Sequence, residues 1–198
     1  MLKSDIRDKQ LQWRRSLSNE EVDRRSQQVA HTFLSNIPLK GKEYCHLFLP
    51  ITRSNELNTY VLIHLLWREY PDITIVVSKS NFSDCSMQQY ILRPETVLSM
   101  NSYGIPEPAD TDELVDEKTL DLVVFPLLAV DSKGNRVGYG KGFYDRMLLQ
   151  CSPTVKKIGI GFHEQLLEKI TDTKPHDVKL DAFVSEDNYF SFRNKYSK

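Results

Sequence analysis

A chain of 198 residues, 40% hydrophobic and 27% charged, has the size and balance of one globular domain with a sizeable core. Its net charge of −1 offers no basic excess for nucleic acid, and no apolar run approaches a membrane span. Cys45, Cys85 and Cys151 are odd in number and far apart, which argues against a disulfide framework or a zinc site. The expectation is a cytoplasmic monomer with reduced thiols, one domain over residues 1–198, no leader, no nucleic acid, no membrane and small-molecule substrates.

Residues 3–34 read as helical, with Leu2, Ile6, Trp13 and Leu17 on one apolar stripe and Val22, Val29, Phe33 and Leu34 on another. Ser18 and Glu21 between them have capping-box spacing. A turn at 40–42 leads to a strand over 44–49, and a helix is predicted over 57–69 with Leu62, Leu65, Leu66 and Trp67 inward. The β-branched run 73–77 predicts a buried strand, 87–93 a more exposed one, and 96–116 a loop. A strand over 120–130, a helix over 143–150, a strand over 157–162, a short helix over 164–170 and a last strand over 181–184 complete the chain. Strands alternating with helices predict an α/β fold, a largely parallel, Rossmann-like open sheet flanked by helices. Ligands of such sheets sit beyond the carboxyl ends of the strands.

The stretch 134–146 carries the most chemical information. Gly138, Gly140 and Gly142 alternate, Arg136 and Lys141 stand among them, and Asp145 follows in the first turn of the predicted helix. Glycines let backbone N–H groups approach an anion closely, a helix start adds partial positive charge, and a carboxylate there suits a Mg²⁺ bridging phosphate oxygens. The pattern is neither a Walker A loop nor a dinucleotide fingerprint. A glycine-rich connection with a solvated lysine is the plainer alternative; the flanking strand, helix and charges favour phosphate.

Other candidates are weaker singly. Lys3 and Arg7 share a helical face, either as a solvated face or as cations closing over a polyphosphate. Residues 103–108, Tyr-Gly-Ile-Pro-Glu-Pro, form a stiff turn offering Tyr103 and Glu107 to a flat heterocycle with N–H donors, or only a structural loop. Glu56 is a carboxylate at a strand end, and His176, Asp177 and Asp181 cluster beside the last strand. His31, His46, His64 and His163 show no pairing with a nucleophile, and no Gly-x-Ser-x-Gly elbow is present.

Taken in order, these pieces resemble the 5-formyltetrahydrofolate cyclo-ligase (5,10-methenyltetrahydrofolate synthetase) family nearly end to end. The resemblance rests on Lys3-x-x-x-Arg7, the Glu56-Leu-Asn-Thr59 turn, Ile105-Pro-Glu-Pro108, Pro126, and Asp131-x-x-Gly134-Asn-Arg-x-Gly-x-Gly-x-Gly-Phe-Tyr-Asp145. Glu164-Gln165 and Asp177-x-x-x-Asp181 follow in order. The family implies ATP-driven cyclisation of 5-formyltetrahydrofolate to 5,10-methenyltetrahydrofolate with release of ADP and phosphate. It implies ATP binding by Lys3, Arg7, Arg136, Gly138, Tyr139, Gly140, Lys141, Gly142, Phe143 and Tyr144, with Lys141 and Arg136 catalytic. It also implies folate binding by Glu56, Tyr103, Ile105, Pro106, Glu107, Tyr139 and Phe143, and Mg²⁺ at Asp145, with Asp181 as a second metal candidate. The chain departs from the family at Asn58, where an acid is usual, at Ser78, where Pro is common, and at Phe143, where Tyr is commoner. A sugar-phosphate or CoA-linked enzyme of similar fold, or a non-catalytic folate- or nucleotide-binding regulator, are the alternatives; the intact Arg136, Lys141 and Asp145 argue against decay.

Overall fold

A computed structural model describes residues 1–109, 113–175 and 177–192; His176 of the candidate cluster lies outside them. Helix α1 (Lys3–Arg15) turns Ile6, Gln10 and Arg14, four apart, inward. Helix α2 (Asn19–Asn36) buries Val22, Ser26, Val29, Ala30 and Phe33. The break between them is held as its spacing predicts: Ser18 accepts the Glu21 N–H at 3.2 Å, while the Glu21 carboxylate turns outward to Arg24 and Arg25.

The remaining elements are β1 (Tyr44–His46), α3 (Tyr60–Glu69), β2 (Thr74–Asn81), β3 (Ser86–Ile91), β4 (Leu98–Met100), β5 (Pro106–Pro108), β6 (Leu114–Val115), β7 (Leu122–Phe125), β8 (Ala129–Asp131), β9 (Arg136–Val137), α4 (Phe143–Leu148), β10 (Lys156–Ile160), β11 (Leu166–Leu167), β12 (Ala182–Val184) and β13 (Tyr189–Ser191). The main sheet runs β13-β12-β10-β7-β1-β2-β3-β6. Five consecutive strands, β12, β10, β7, β1 and β2, are parallel; β13 pairs antiparallel at one edge, and β3 followed by β6 extend the other side antiparallel. Leu122, Val123, Val124 and Phe125 are each 0% exposed, the continuous apolar run of a strand covered on both faces. The expected α/β fold, largely parallel and flanked by helices, is the fold observed.

Strand β1 lies inside the sheet. The next parallel strand, β2, joins it on one side, and β7, β10 and β12 extend on the other. The chain therefore reverses its progress between β1 and β7, and a crevice opens beyond the carboxyl ends of such strands.

Three stretches differ from the sequence reading. The strand over 120–130 divides at Pro126, which has no N–H for the ladder. Its second half, β8, pairs with β9 and β11 in a separate three-stranded sheet. The expected helix over 164–170 is a single 3-10 turn, His163–Gln165, followed by β11. Gln165 closes that turn by accepting from Phe162 N and donating to Leu127 O, both at 2.7 Å, and β8 then claims Leu166 and Leu167 as ladder partners. The loop over 96–116 contains the β4–β5 hairpin, whose prolines sit on an edge strand where no donor is needed.

Candidate active site

The glycine loop is carried by a braced hairpin. Asp131, 1% exposed, accepts from Lys133 N, Asn135 N and Asn135 Nδ2, and from Ile170 N at 3.1 Å. These bonds fix the turn from β8 into β9. Gly134 occupies its left-handed position at φ +77°, where a Cβ would stand 2.8 Å from Leu180 O. Gly140 and Gly142 also have positive φ, at +91° and +74°, whereas Gly138 does not and faces open space. Asp131, Gly134 and Asn135 of the signature stretch thus shape the hairpin, and residues 138–142 are what it presents.

The loop forms one wall of a cleft of about 1170 Å³ that also reaches residues following β1 and β7, among them Phe48, Leu49 and Pro126. Seven cations line it, Lys3, Arg7, Arg53, Arg136, Lys141, Arg146 and Lys174, against four carboxylates, Glu56, Asp145, Asp172 and Asp177. The cleft therefore favours an anion although the whole chain is nearly neutral.

Helix α1 brings two of its expected cations here. Arg7 Nε donates to Gly138 O at 3.0 Å and its guanidinium lies against Gly140. Lys3 Nζ donates to Asp177 at 2.5 Å, and Lys3 N donates to Asp172 at 2.8 Å. Arg136 leaves β9 over the Phe125 ring, 4.9 Å from its centroid, and donates to Asp145 Oδ1 at 2.7 Å and to Val178 O. Lys141 is exposed, and among the described residues its ammonium makes no hydrogen bond or ion pair. Arg136 is already engaged; Lys141 is available.

Glu56 is 5% exposed and doubly held: Ile51 N donates to Oε2 at 2.9 Å, and the Tyr139 hydroxyl donates to Oε1 at 2.6 Å. The Tyr139 oxygen in turn accepts from Arg14 Nη2 at 2.6 Å. Burial, then the neighbouring Glu56 charge, push the Tyr139 phenol up, so it remains a neutral donor. Burial does the same for Tyr144. Arg14, 1% exposed, escaped the sequence reading: a cation on the inner stripe of α1 has a partner only once Glu56 and Tyr139 are folded onto it.

Part of the cleft rim is aromatic. Tyr103 stacks on Phe82 with ring centroids 3.8 Å apart, and Phe82 meets Phe143 edge-on at 5.1 Å. Ile105 and Pro106 continue this wall. Phe82, at the tip of the β2–β3 hairpin, lies outside every motif and went unnoticed.

Several expected residues take other positions. Glu107 does not line the cleft; it is 6% exposed and accepts from Ser80 N at 2.9 Å, fastening β5 to β2. Asp181 lies just before β12, at the opposite end of the parallel strands. There it accepts from Lys157 N at 2.8 Å and pairs with Lys157 Nζ at 3.4 Å, so it does not share a metal position with Asp145. Asn58 serves the start of α3: its Oδ1 accepts from Tyr60 N at 3.2 Å and its Nδ2 donates to Asp23 at 3.0 Å. Its replacement of an acid is therefore felt at a helix start. His46 does have a hydroxyl partner. Its Nε2 is 2.8 Å from Ser78 Oγ, and Ser78 donates onward to Gln89 Oε1 at 2.8 Å. Complete burial lowers the His46 pKa to about 4, so the ring is neutral and donates through Nε2.

Comparison with known proteins follows the same outline. A profile of the 5-formyltetrahydrofolate cyclo-ligase family matches residues 1–186. The chain is 31% identical over 176 residues to the 5-formyltetrahydrofolate cyclo-ligase of Escherichia coli K12, spanning 88% of this chain and 94% of that one. It is 29% identical over 187 residues to the enzyme of the same name from Mus musculus, with 88% of each chain covered. Among solved structures, Aquifex aeolicus 5,10-methenyltetrahydrofolate synthetase superposes with a TM-score of 0.80 at 28% identity, over 100% of this chain and 96% of that one. The family profile spans nearly the whole chain, and the chain belongs to the 5-formyltetrahydrofolate cyclo-ligase family.

Proposed function

We propose that this protein catalyses the ATP- and Mg²⁺-dependent cyclisation of 5-formyltetrahydrofolate to 5,10-methenyltetrahydrofolate, releasing ADP and phosphate. Family membership supports the reaction class. The observation that carries the reading for this chain is the shared cleft. A glycine loop with Arg136 and an exposed Lys141 lines it together with a buried, oriented Glu56 and the Tyr103–Phe82–Phe143 aromatic rim.

The chemistry asks for little covalent help. A formamide oxygen is a poor leaving group. Transfer of the γ-phosphoryl group to that oxygen gives an iminium-like phosphate. The folate's N10 then attacks the formyl carbon and loses its proton, the ring closes, and the oxygen departs with phosphate. Positioning and charge neutralisation dominate such transfers. In this reading Lys3, Arg7 and Arg136 bind the polyphosphate, residues 138–142 approach it with backbone N–H groups, and Lys141 follows the transferring group. Tyr139 and Phe143, both on the cleft wall, line the junction between the two substrates. Glu56 accepts N–H donors of the pterin through its free lone pairs, and the Tyr103–Phe82–Phe143 rim covers the flat ring.

Among the described residues no three His, Cys, Asp or Glu side chains gather as a preformed metal site. Mg²⁺ keeps several waters and takes one or two carboxylates plus substrate phosphates. Asp145, with its side chain 35% exposed in the cleft, fits that donor set. Bound there with the nucleotide, Mg²⁺ would neutralise phosphate charge.

The test is direct. Purified protein is mixed with 5-formyltetrahydrofolate, Mg²⁺ and ATP, and the methenyl product is followed by its ultraviolet absorbance beside an ATP-free control. ATP-dependent growth is expected; its absence with both ligands bound would overturn the reaction.

A further inference from the structure

We propose that Arg14 is a positioning residue for the folate end of the cleft, acting through the Tyr139 hydroxyl on Glu56. The inference rests on the reading above that Glu56 holds the pterin.

The direction of the hydrogen bonds carries it. A phenol has one proton. Arg14 Nη2 occupies the Tyr139 oxygen as a donor at 2.6 Å, so the phenolic proton is left for Glu56 Oε1, also at 2.6 Å. Arg14 therefore decides which way Tyr139 donates. With Ile51 N on Oε2, both carboxylate oxygens are pinned as acceptors, and the plane of the carboxylate is fixed. Its remaining lone pairs suit a ligand presenting adjacent N–H donors. Were Arg14 absent, the Tyr139 hydroxyl would be free to rotate, and a buried carboxylate would lose its nearest cation, 3.7 Å away.

The arrangement is not one that stability alone would select. Arg14 is almost fully buried, its pairing to Glu56 is long, and its Nε is buried with no partner among the described residues. Replacing buried ion pairs by packed apolar groups is often neutral or stabilising. Asn55, in the left-handed region at φ 46°, adds a further constraint: its Nδ2 donates to Arg14 O at 2.9 Å and to Leu17 O at 2.8 Å. The segment just before Glu56 is thereby tied to the end of α1 that carries Arg14. Arg7, two turns earlier on the same helix, reaches the loop backbone at Gly138 instead. One helix thus reaches two neighbouring residues of the loop with two arginines, Arg7 at the Gly138 backbone and Arg14 at the Tyr139 hydroxyl that turns to Glu56.

The experiment compares wild type with Arg14→Met, Arg14→Lys and Tyr139→Phe. It measures KM for 5-formyltetrahydrofolate and for ATP, and the calorimetric Kd for 5-formyltetrahydrofolate and for a non-hydrolysable ATP analogue. In Arg14→Met the folate KM and Kd should rise about tenfold to a hundredfold, the range of one lost charge-assisted hydrogen bond. The nucleotide constants should stay within about twofold, and Arg14→Lys should fall between. Should Arg14→Met fail to fold, Tyr139→Phe decides, because it removes one hydroxyl and leaves Arg14 and Glu56 close enough to pair; it should show the same folate-selective loss. Nucleotide and folate constants moving together, or none moving in the folded variants, would overturn the role of Arg14. A wild type that neither turns over nor binds folate would instead overturn the underlying reading.

Discussion

One chemical change, glycine to alanine, should have opposite signatures at two positions four residues apart. At Gly134 the backbone is left-handed, φ +77°, and the new Cβ would stand 2.8 Å from Leu180 O and 3.0 Å from the Phe192 ring. The carbonyl cannot retreat easily, because Leu180 N donates to Gly134 O at 2.9 Å. Left-handed backbone costs an L-residue roughly 1–2 kcal/mol, and forced overpacking typically another ~1–3 kcal/mol. Gly134→Ala should therefore lose about 2–5 kcal/mol of folding stability and, at ~2–4 °C per kcal/mol for a chain of this size, lower Tm by about 4–20 °C. At Gly138 φ is not positive and a Cβ meets nothing within 4 Å, so Gly138→Ala should leave Tm within about 2 °C. Its methyl would nevertheless stand in the cleft where backbone is proposed to approach phosphate, and turnover should fall by at least about tenfold. Calorimetric Tm and the methenyl absorbance assay on the same two variants give the comparison. A Gly134→Ala protein as stable as wild type, or a Gly138→Ala protein with normal turnover, would refute the division of the loop into a braced hairpin and a phosphate-facing crest.

Lys141→Ala should fold normally, since the side chain is exposed, and reduce turnover by at least ~10²-fold; near-normal rates would remove Lys141 from the mechanism. Asp145→Asn should weaken the Mg²⁺ dependence of turnover, and an unchanged metal titration would place the metal elsewhere. His46 is held neutral with its pKa lowered to about 4 from 6.5, so below pH 6.5 the unfolded state binds more protons than the folded one. Folding stability from this group is complete above pH 6.5 and is lost as pH falls toward 4; His46→Gln should flatten that part of a denaturant-melt pH series, and an unchanged slope would assign it to other groups.

Local patterns were legible where local physics decides them. The four-residue spacing of Lys3 and Arg7, the Ser18 cap and the β-branched run in β2 each announce a face or a backbone preference, and each is found where the pattern puts it. Legibility failed where a neighbour in space outbid the local pattern. Residues 164–170 have helical composition, but Gln165 and the open edge of β8 hold them in a turn and a strand. Glu107 reads as a free carboxylate on a stiff loop, yet the unpaired Ser80 N–H captures it.

The sequence by itself determined the fold class and, by resemblance, the family, because strand patterning and the order of motifs are properties of the chain read in one direction. Tertiary structure alone decided which charges face one another. Arg14, Tyr139 and Glu56 lie up to 125 residues apart, and so do the members of the His46–Ser78–Gln89 chain on their smaller scale of 32 and 11 residues. A hydrogen bond is made at about 3 Å in space whatever the separation along the chain, so its partners are known only when the sheet has brought the strand ends together.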